Sequence, residues 1–124
     1  MKRDPRLIEF SREHHSALKL GLFLRNSQDV DECNTHIQAL KTMLLEHFNE
    51  EEKDLLNIID VLPNPSLRER FISDHQALRS LLIQDHLHLH DAKIFGELLV
   101  DHSRFEERKL FPAIQQYWRN DHDE

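Results

Sequence analysis

Glycine is almost missing from this chain, at two residues in 124, and proline is scarce at four. So few breakers leave long uninterrupted segments. Cysteine occurs once, as Cys33, so no internal disulfide can form, which fits a reducing compartment. No apolar run approaches the ~20 residues of a membrane span. The opening MKRDPRLIEF has no apolar h-region of a secretory signal. Positive charge is short as well: 16 Lys and Arg stand against 23 Asp and Glu, a net charge of −7. An acidic surface argues against nucleic acid and anionic membrane as partners. There is no Ser–His–Asp arrangement, Gly-rich phosphate loop or CxxC pair, so nucleophilic and nucleotide chemistry have no support. The expectation is a soluble, cytoplasmic protein with one domain, residues 1–124, long enough to bury a core without staples. Histidine, in contrast, is abundant, with ten residues, and it is the commonest metal-binding side chain.

The breakers divide the chain into four helical segments. Asp4-Pro5 starts helix A, about 5–25, with Asp as N-cap and Pro at the first helical position. After the polar Asn26-Ser27-Gln28-Asp29, helix B covers about 30–60 and stops before Leu62-Pro63-Asn64-Pro65. Ser66 and Glu69 form a capping box for helix C, about 66–88. His88-Leu89-His90-Asp91 turns the chain, and Asp91 caps helix D, about 92–119. Apolar residues recur at helical spacing, for example Leu40, Leu44, Leu55 and Ile58 in helix B. No segment alternates with period two. The fold class is therefore all-α, an up-down-up-down antiparallel four-helix bundle.

The bundle reads as two similar helical hairpins. Setting His47 on His102 also sets Glu51 on Glu106, Glu52 on Glu107, Leu55 on Leu110 and Ile59 on Ile114. Setting His15-Ser16-Ala17-Leu18 on His75-Gln76-Ala77-Leu78 aligns the other two helices. Repeated leucines follow from amphipathicity alone, so the repeated polar positions carry the information.

Residues i and i+4 share a helix face. His47 with Glu51, and His102 with Glu106, therefore lie on apolar stripes facing the bundle axis. Helices A and C add His15 and His75. His14 also fits an interior face, with Leu7, Phe10 and Gly21; the repeat selects His15. His75 and Glu51 lie roughly 9 and 11 residues from the Pro63–Pro65 turn, so at 1.5 Å per residue their heights agree within about one turn. His15 and His102 fall near the same level. Two interior carboxylates with four imidazoles and no interior lysine require a cation. Nitrogen and carboxylate donors suit iron, zinc or manganese, and two carboxylates able to bridge suit a pair of ions.

His15, His47-x-x-x-Glu51, His75 and His102-x-x-x-Glu106, in that order over four helices and with LFPAI closing helix D, resemble the hemerythrin family of non-haem di-iron, HHE cation-binding proteins. The resemblance covers essentially the whole chain. It implies two iron ions joined by bridging carboxylates, with zinc or manganese as substitutes. It also implies a small diatomic or peroxide ligand, bound, sensed or reduced. Oxygen carriers of that family have a second histidine on the third helix, where this chain has Arg79, and a final aspartate at i+5 where this chain has Glu106 at i+4. Both features resemble the bacterial branch with four histidines and two glutamates. That branch includes iron–sulfur repair proteins, which add a cysteine-bearing N-terminal domain to the bundle, so neither oxygen carriage nor a complete repair enzyme is expected. Whether the centre turns over as a weak oxidase, peroxidase or NO-related enzyme is left open. An iron-handling or iron-sensing module and a metal-dependent interaction bundle are the alternatives, as monomer or homodimer.

Four further readings can be checked against structure. Arg79 either swings outward or pairs with a carboxylate ligand. Glu52, beside Glu51, reads as solvated face. His36 and His86, each 11 residues from an interior histidine, join Cys33, His88 and His90 at one bundle end, as a second metal site or as end groups bonded to backbone and water. Gly21 and Gly96, six residues from His15 and His102, either pack helices A and D closely or open a route for a gas.

Overall fold

The computed structural model describes residues 2–122, the last two by backbone alone. Four rods form the bundle: α1 (Pro5–Asn26), α2 (Val30–Asp60), α3 (Pro65–Leu82), and a fourth made of α4 (Leu89–Phe105), a π-helical turn (Glu106–Leu110) and α5 (Phe111–His122). Among the described residues there is no strand, and no helix is long and apolar enough to cross a membrane.

The starts follow from local chemistry. Asp4 caps α1, accepting from the Arg6 backbone N–H at 2.8 Å, with Pro5 in the first turn. Asp29 caps α2 by accepting from the Glu32 N–H. α3 begins one residue before the expected capping box: Pro65 opens it and Asn64 is the cap, bonded to the Ser66 N–H at 3.0 Å. Proline has the helical φ and lacks the N–H that an N-terminus leaves unpaired anyway, so it sets the boundary.

The junction between α3 and α4 departs further from the expected limits. α3 stops at Leu82, not near 88, and α4 starts at Leu89 with His88 at the cap position, not Asp91. A tertiary contact decides this. Buried Asn34 on α2 accepts from the Leu87 N–H at 2.8 Å and donates to the Leu87 carbonyl at 2.9 Å. It pins the non-helical connection there, while the Leu87 side chain is buried.

The π turn has a local cause. Pro112 cannot donate, and in an α-helix its ring meets the carbonyl four residues back. Here the helix widens, and the Phe111 N–H reaches the Glu106 carbonyl, five residues back. The Glu107 carbonyl has no such donor, because residue 112 is proline; Arg3 Nη2 donates to it at 3.1 Å. π turns of this kind occur frequently at functional sites.

α1 packs most extensively on α4. A Cβ on Gly21 would lie 2.8 Å from the Gly96 carbonyl oxygen, and one on Gly96 would lie 2.7 Å from the Gly21 oxygen. Both glycines therefore serve close helix packing, and no gas route passes between them. The apolar core lies in two blocks. One holds Leu20, Leu24, Ile37, Leu44, Leu78, Phe95 and Leu99; the other holds Leu7, Leu55, Ile59, Phe71, Leu110 and Phe111. Between them lies a polar layer.

Candidate metal centre

The polar layer takes one histidine from each rod. His14 from α1, His47 from α2, His75 from α3 and His102 from α4 are all buried, and Glu51 and Glu106 are 0 % exposed. Glu51 Oε1 lies 3.3 Å from His47 Nε2 and 3.2 Å from His75 Nε2. Glu106 Oε1 lies 2.9 Å from both His14 Nε2 and His102 Nε2. The ligand atoms fall into two groups, His14, His47, Glu51 and Glu106, and Glu51, His75, His102 and Glu106, each with its atoms within 4.8 Å of one another. Both carboxylates belong to both groups.

Five of the six expected residues, His47, Glu51, His75, His102 and Glu106, meet in this layer; His15 does not. It is exposed, and His14, 5 % exposed, occupies the position. The buried stripe of α1 runs Leu7, Phe10, His14, Ala17, Gly21, Leu24, in steps of three and four, and His15 lies ~100° off that line. The stripe was visible in the sequence. The His-x-Ala-Leu repeat aligned letters that do not share a helix phase.

All four imidazoles turn Nε2 inward and give Nδ1 to an outer carboxylate. His47 Nδ1 meets Glu13 at 2.8 Å, His75 meets Glu52 at 2.7 Å, His102 meets Asp74 at 2.8 Å and His14 meets Glu107 at 2.7 Å. A carboxylate accepts, so Nδ1 carries the proton and Nε2 offers its lone pair to the interior once it is deprotonated. The pattern closes on itself: α1 supports the histidine of α2, α2 that of α3, α3 that of α4, and the π turn that of α1. Sequence reasoning missed this ring. Its signal was that each outer carboxylate is the immediate chain neighbour of an inner residue: Glu13 of His14, Glu52 of Glu51, Asp74 of His75, Glu107 of Glu106. Glu52 is therefore more than solvated face. Arg79 bonds it at 2.5 Å and also bonds Asn49, so Arg79 braces an outer carboxylate and makes no bond to Glu51 or Glu106.

The electrostatics show a cluster that calls for cations. Burial pushes the His14 imidazolium toward neutrality, but Glu106, Glu107 and Glu51 outweigh it and hold its pKa well above the ordinary value. At His102 burial is likewise outweighed, chiefly by Glu106 and Asp74, and the pKa rises to about 10. Burial opposes ionisation of Glu51, yet His47, His14 and His75 hold its pKa well below the usual carboxylate range. Even so, Glu51 Oε2 and Glu106 Oε2 are buried with no hydrogen-bond partner, and His102 Nε2, though 2.9 Å from Glu106 Oε1, makes no aligned hydrogen bond. Buried polar atoms are rarely left so, and three of them at one level, two anionic and one basic, fit a metal pair.

Of the two readings for the bundle end, the structure shows no second metal cluster among the described residues. His36, His86, His88 and His90 are exposed, and the His36 ring lies against Phe23 with centroids 4.2 Å apart. Cys33 is buried in the apolar core. Among the described residues, the groups of metal-binding side chains that converge are the two in the polar layer. α3 ends at Leu82, so His86 lies beyond the helix that the three-turn spacing assumed.

The family model for the hemerythrin HHE cation binding domain matches residues 6–114. No curated protein and no solved structure matches the chain.

Proposed function

The chain belongs to the hemerythrin HHE cation-binding family, and on that premise we propose that it holds two iron ions in the polar layer and uses them to bind, sense or reduce a small oxidant: O₂, NO or peroxide. The observation that carries this reading is the pair of four-atom groups sharing Glu51 and Glu106. His14 and His47 would hold one ion, His75 and His102 the other, and Glu51 and Glu106 would bridge. Zinc or manganese suits the same donors. Iron held by these residues would supply one-electron redox chemistry.

The protein's own residues do the rest. Glu13, Glu52, Asp74 and Glu107 fix the ring orientation and tautomer of each histidine, which tunes ligand basicity. Arg79 with Glu52, Arg70 with Asp74 and Arg3 with Glu107 hold three of these carboxylates from outside. Phe48, Phe71 and Phe111, all buried, pack on the imidazoles and exclude water from the layer. The imidazole protons that balance Glu51 and Glu106 leave when a cation takes over that role, so loading releases protons.

A second reading, an iron-sensing module, draws on the same unpartnered carboxylate oxygens, because they tie stability to loading. One experiment separates the two. Anaerobic protein loaded with ferrous iron is exposed to air or NO and followed by absorption and by circular dichroism. A new charge-transfer band with unchanged helicity supports the oxidant-binding reading. A silent spectrum, with helicity lost when iron is chelated, supports the sensor and overturns the first.

A further inference from the structure

A cavity of about 420 Å³ opens on the outside of the bundle, between α3 and the junction of α4 with the π turn. Arg70 lines it from α3, Asp101, Arg104 and Phe105 from α4, and Arg108 and Lys109 from the π turn. Four cations against one carboxylate make it positive, in a chain that carries −7 overall. Arg104, Arg108 and Lys109 are exposed, and none has an ion-pair or hydrogen-bond partner among the described residues.

The π turn gathers these side chains. At 3.6 residues per turn, residues five apart on an α-helix point ~140° away from each other. A π turn closes its hydrogen bonds over five residues, so Arg104 and Lys109 are brought toward one face, together with Arg108. Like charges at i and i+4 repel on a helix. Arg104 and Arg108 stand at that spacing and lack the counter-charge that a bound anion would bring.

One atom links the cavity to the buried layer. Asp74 Oδ2 accepts from Arg70 Nε at 3.3 Å and meets His102 Nδ1 at 2.8 Å. The Arg70 guanidinium also lies over the Phe105 ring, 4.6 Å from its centroid. Its two Nη groups have no hydrogen-bond partner among the described residues. An anion that recruits this guanidinium competes with Asp74 for it, and leaves Asp74 to His102 alone.

We propose that the cavity binds a soluble phosphoryl anion of about diphosphate size, held by Arg70, Arg104, Arg108 and Lys109, and that binding draws Arg70 from Asp74 and so alters the hold on His102. The site lies outside the His/Glu layer and stands whichever metal that layer holds. Guanidinium forks match phosphoryl oxygens two at a time, and lysine adds a point charge. Four cations less one carboxylate leave a net +3 in the lining. A single phosphoryl group carries about −1.5 to −2, so two are needed to balance it. At ~30 Å³ per water the volume has room for roughly a dozen waters, enough for a diphosphate with part of its hydration. A membrane or a nucleic acid would press many more phosphates against the acidic remainder of the surface.

The test titrates the full chain, as purified, with inorganic pyrophosphate in a calorimeter at low ionic strength. One site per chain is expected, weakening with salt. Arg104→Gln/Arg108→Gln should weaken it at least about tenfold, through the loss of charge-assisted bonds. Asp101→Asn, which removes the carboxylate from the lining, should tighten it. Circular dichroism checks the fold of each variant. The link to the layer is read by NMR on diamagnetic protein, metal-free or zinc-loaded. The His102 Nδ1–H signal should move as pyrophosphate saturates the wild type, and should stay still in Arg70→Gln. No saturable binding, binding indifferent to both the arginine and the Asp101 substitutions, or tighter capture by vesicles containing phosphatidic acid or by duplex DNA, overturns the site. A His102 signal that stays still while wild type saturates overturns the link.

Discussion

His14 and His15 are adjacent in sequence and opposite in setting, so truncating each in turn separates site from surface. His14→Ala removes a buried ring whose Nε2 lies 2.9 Å from Glu106 and 3.6 Å from Glu51, and whose Nδ1 lies 2.7 Å from Glu107. It leaves Glu106, fully buried and with one oxygen already unpartnered, facing His102 alone. Breaking a buried pair by deleting one partner costs about 3–5 kcal/mol. A domain of this length has a total stability of about 6–19 kcal/mol, at ~0.05–0.15 kcal/mol per residue. In metal-free protein, His14→Ala should therefore lower the urea midpoint by about a sixth or more of its value. In protein loaded with iron it should also lower the metal content, since one group loses a nitrogen donor. His15→Ala should stay within about 0.5 kcal/mol of wild type, with metal content unchanged, as exposed substitutions generally do. Equal behaviour of the two variants, or loss of metal in His15→Ala alone, would refute the assignment.

Two more outcomes follow from the same geometry. His14, His47 and His102 have raised pKa values in the folded, metal-free protein. Their contribution to stability is complete below the ordinary histidine value of 6.5 and is lost as pH climbs toward about 10, the folded value of His102. Glu51 acts oppositely: its contribution is present above its ordinary value of 4.5 and is lost as pH falls toward its depressed folded value. Urea midpoints of metal-free protein should thus peak between these ordinary values and decline on the alkaline side, while iron-loaded protein, whose imidazoles are already deprotonated, shows no alkaline decline over that window. A flat alkaline limb without metal would contradict this. Gly21→Ala gains about 1 kcal/mol of helix propensity but puts a methyl 2.8 Å from a backbone oxygen that cannot rotate away, an overpacking cost of about 1–3 kcal/mol. A thermal midpoint lowered by a few degrees is expected, and a raised one would mean the α1–α4 contact yields easily.

The bundle and most of its centre were legible because their signals are local and periodic. His47 with Glu51, and His102 with Glu106, announce themselves as polar pairs at i, i+4 within leucine stripes. Asp4-Pro5 and Pro65 mark helix starts through backbone chemistry that needs no partner. What escaped depended on other parts of the chain. Leu87 is pinned outside a helix by Asn34, more than fifty residues earlier, so helix propensity alone overran the end of α3. The outer carboxylates look like surface charge until the neighbouring helix brings a histidine to them. The choice between His14 and His15 turned on one step of helix phase, where the run Leu7, Phe10, Gly21, Leu24 was the better guide than a repeated four-residue pattern. The π turn required two facts together, Pro112 in the sequence and Arg3 placed to take up the freed Glu107 carbonyl.

Metal analysis of protein purified from iron-replete cells, with intact mass measured under native conditions, bears most directly on the buried His/Glu layer. Two iron ions per folded chain, falling when Glu51→Gln and Glu106→Gln are combined, is the expected result. A fully helical chain that carries no metal and takes none up when ferrous iron is supplied would contradict it.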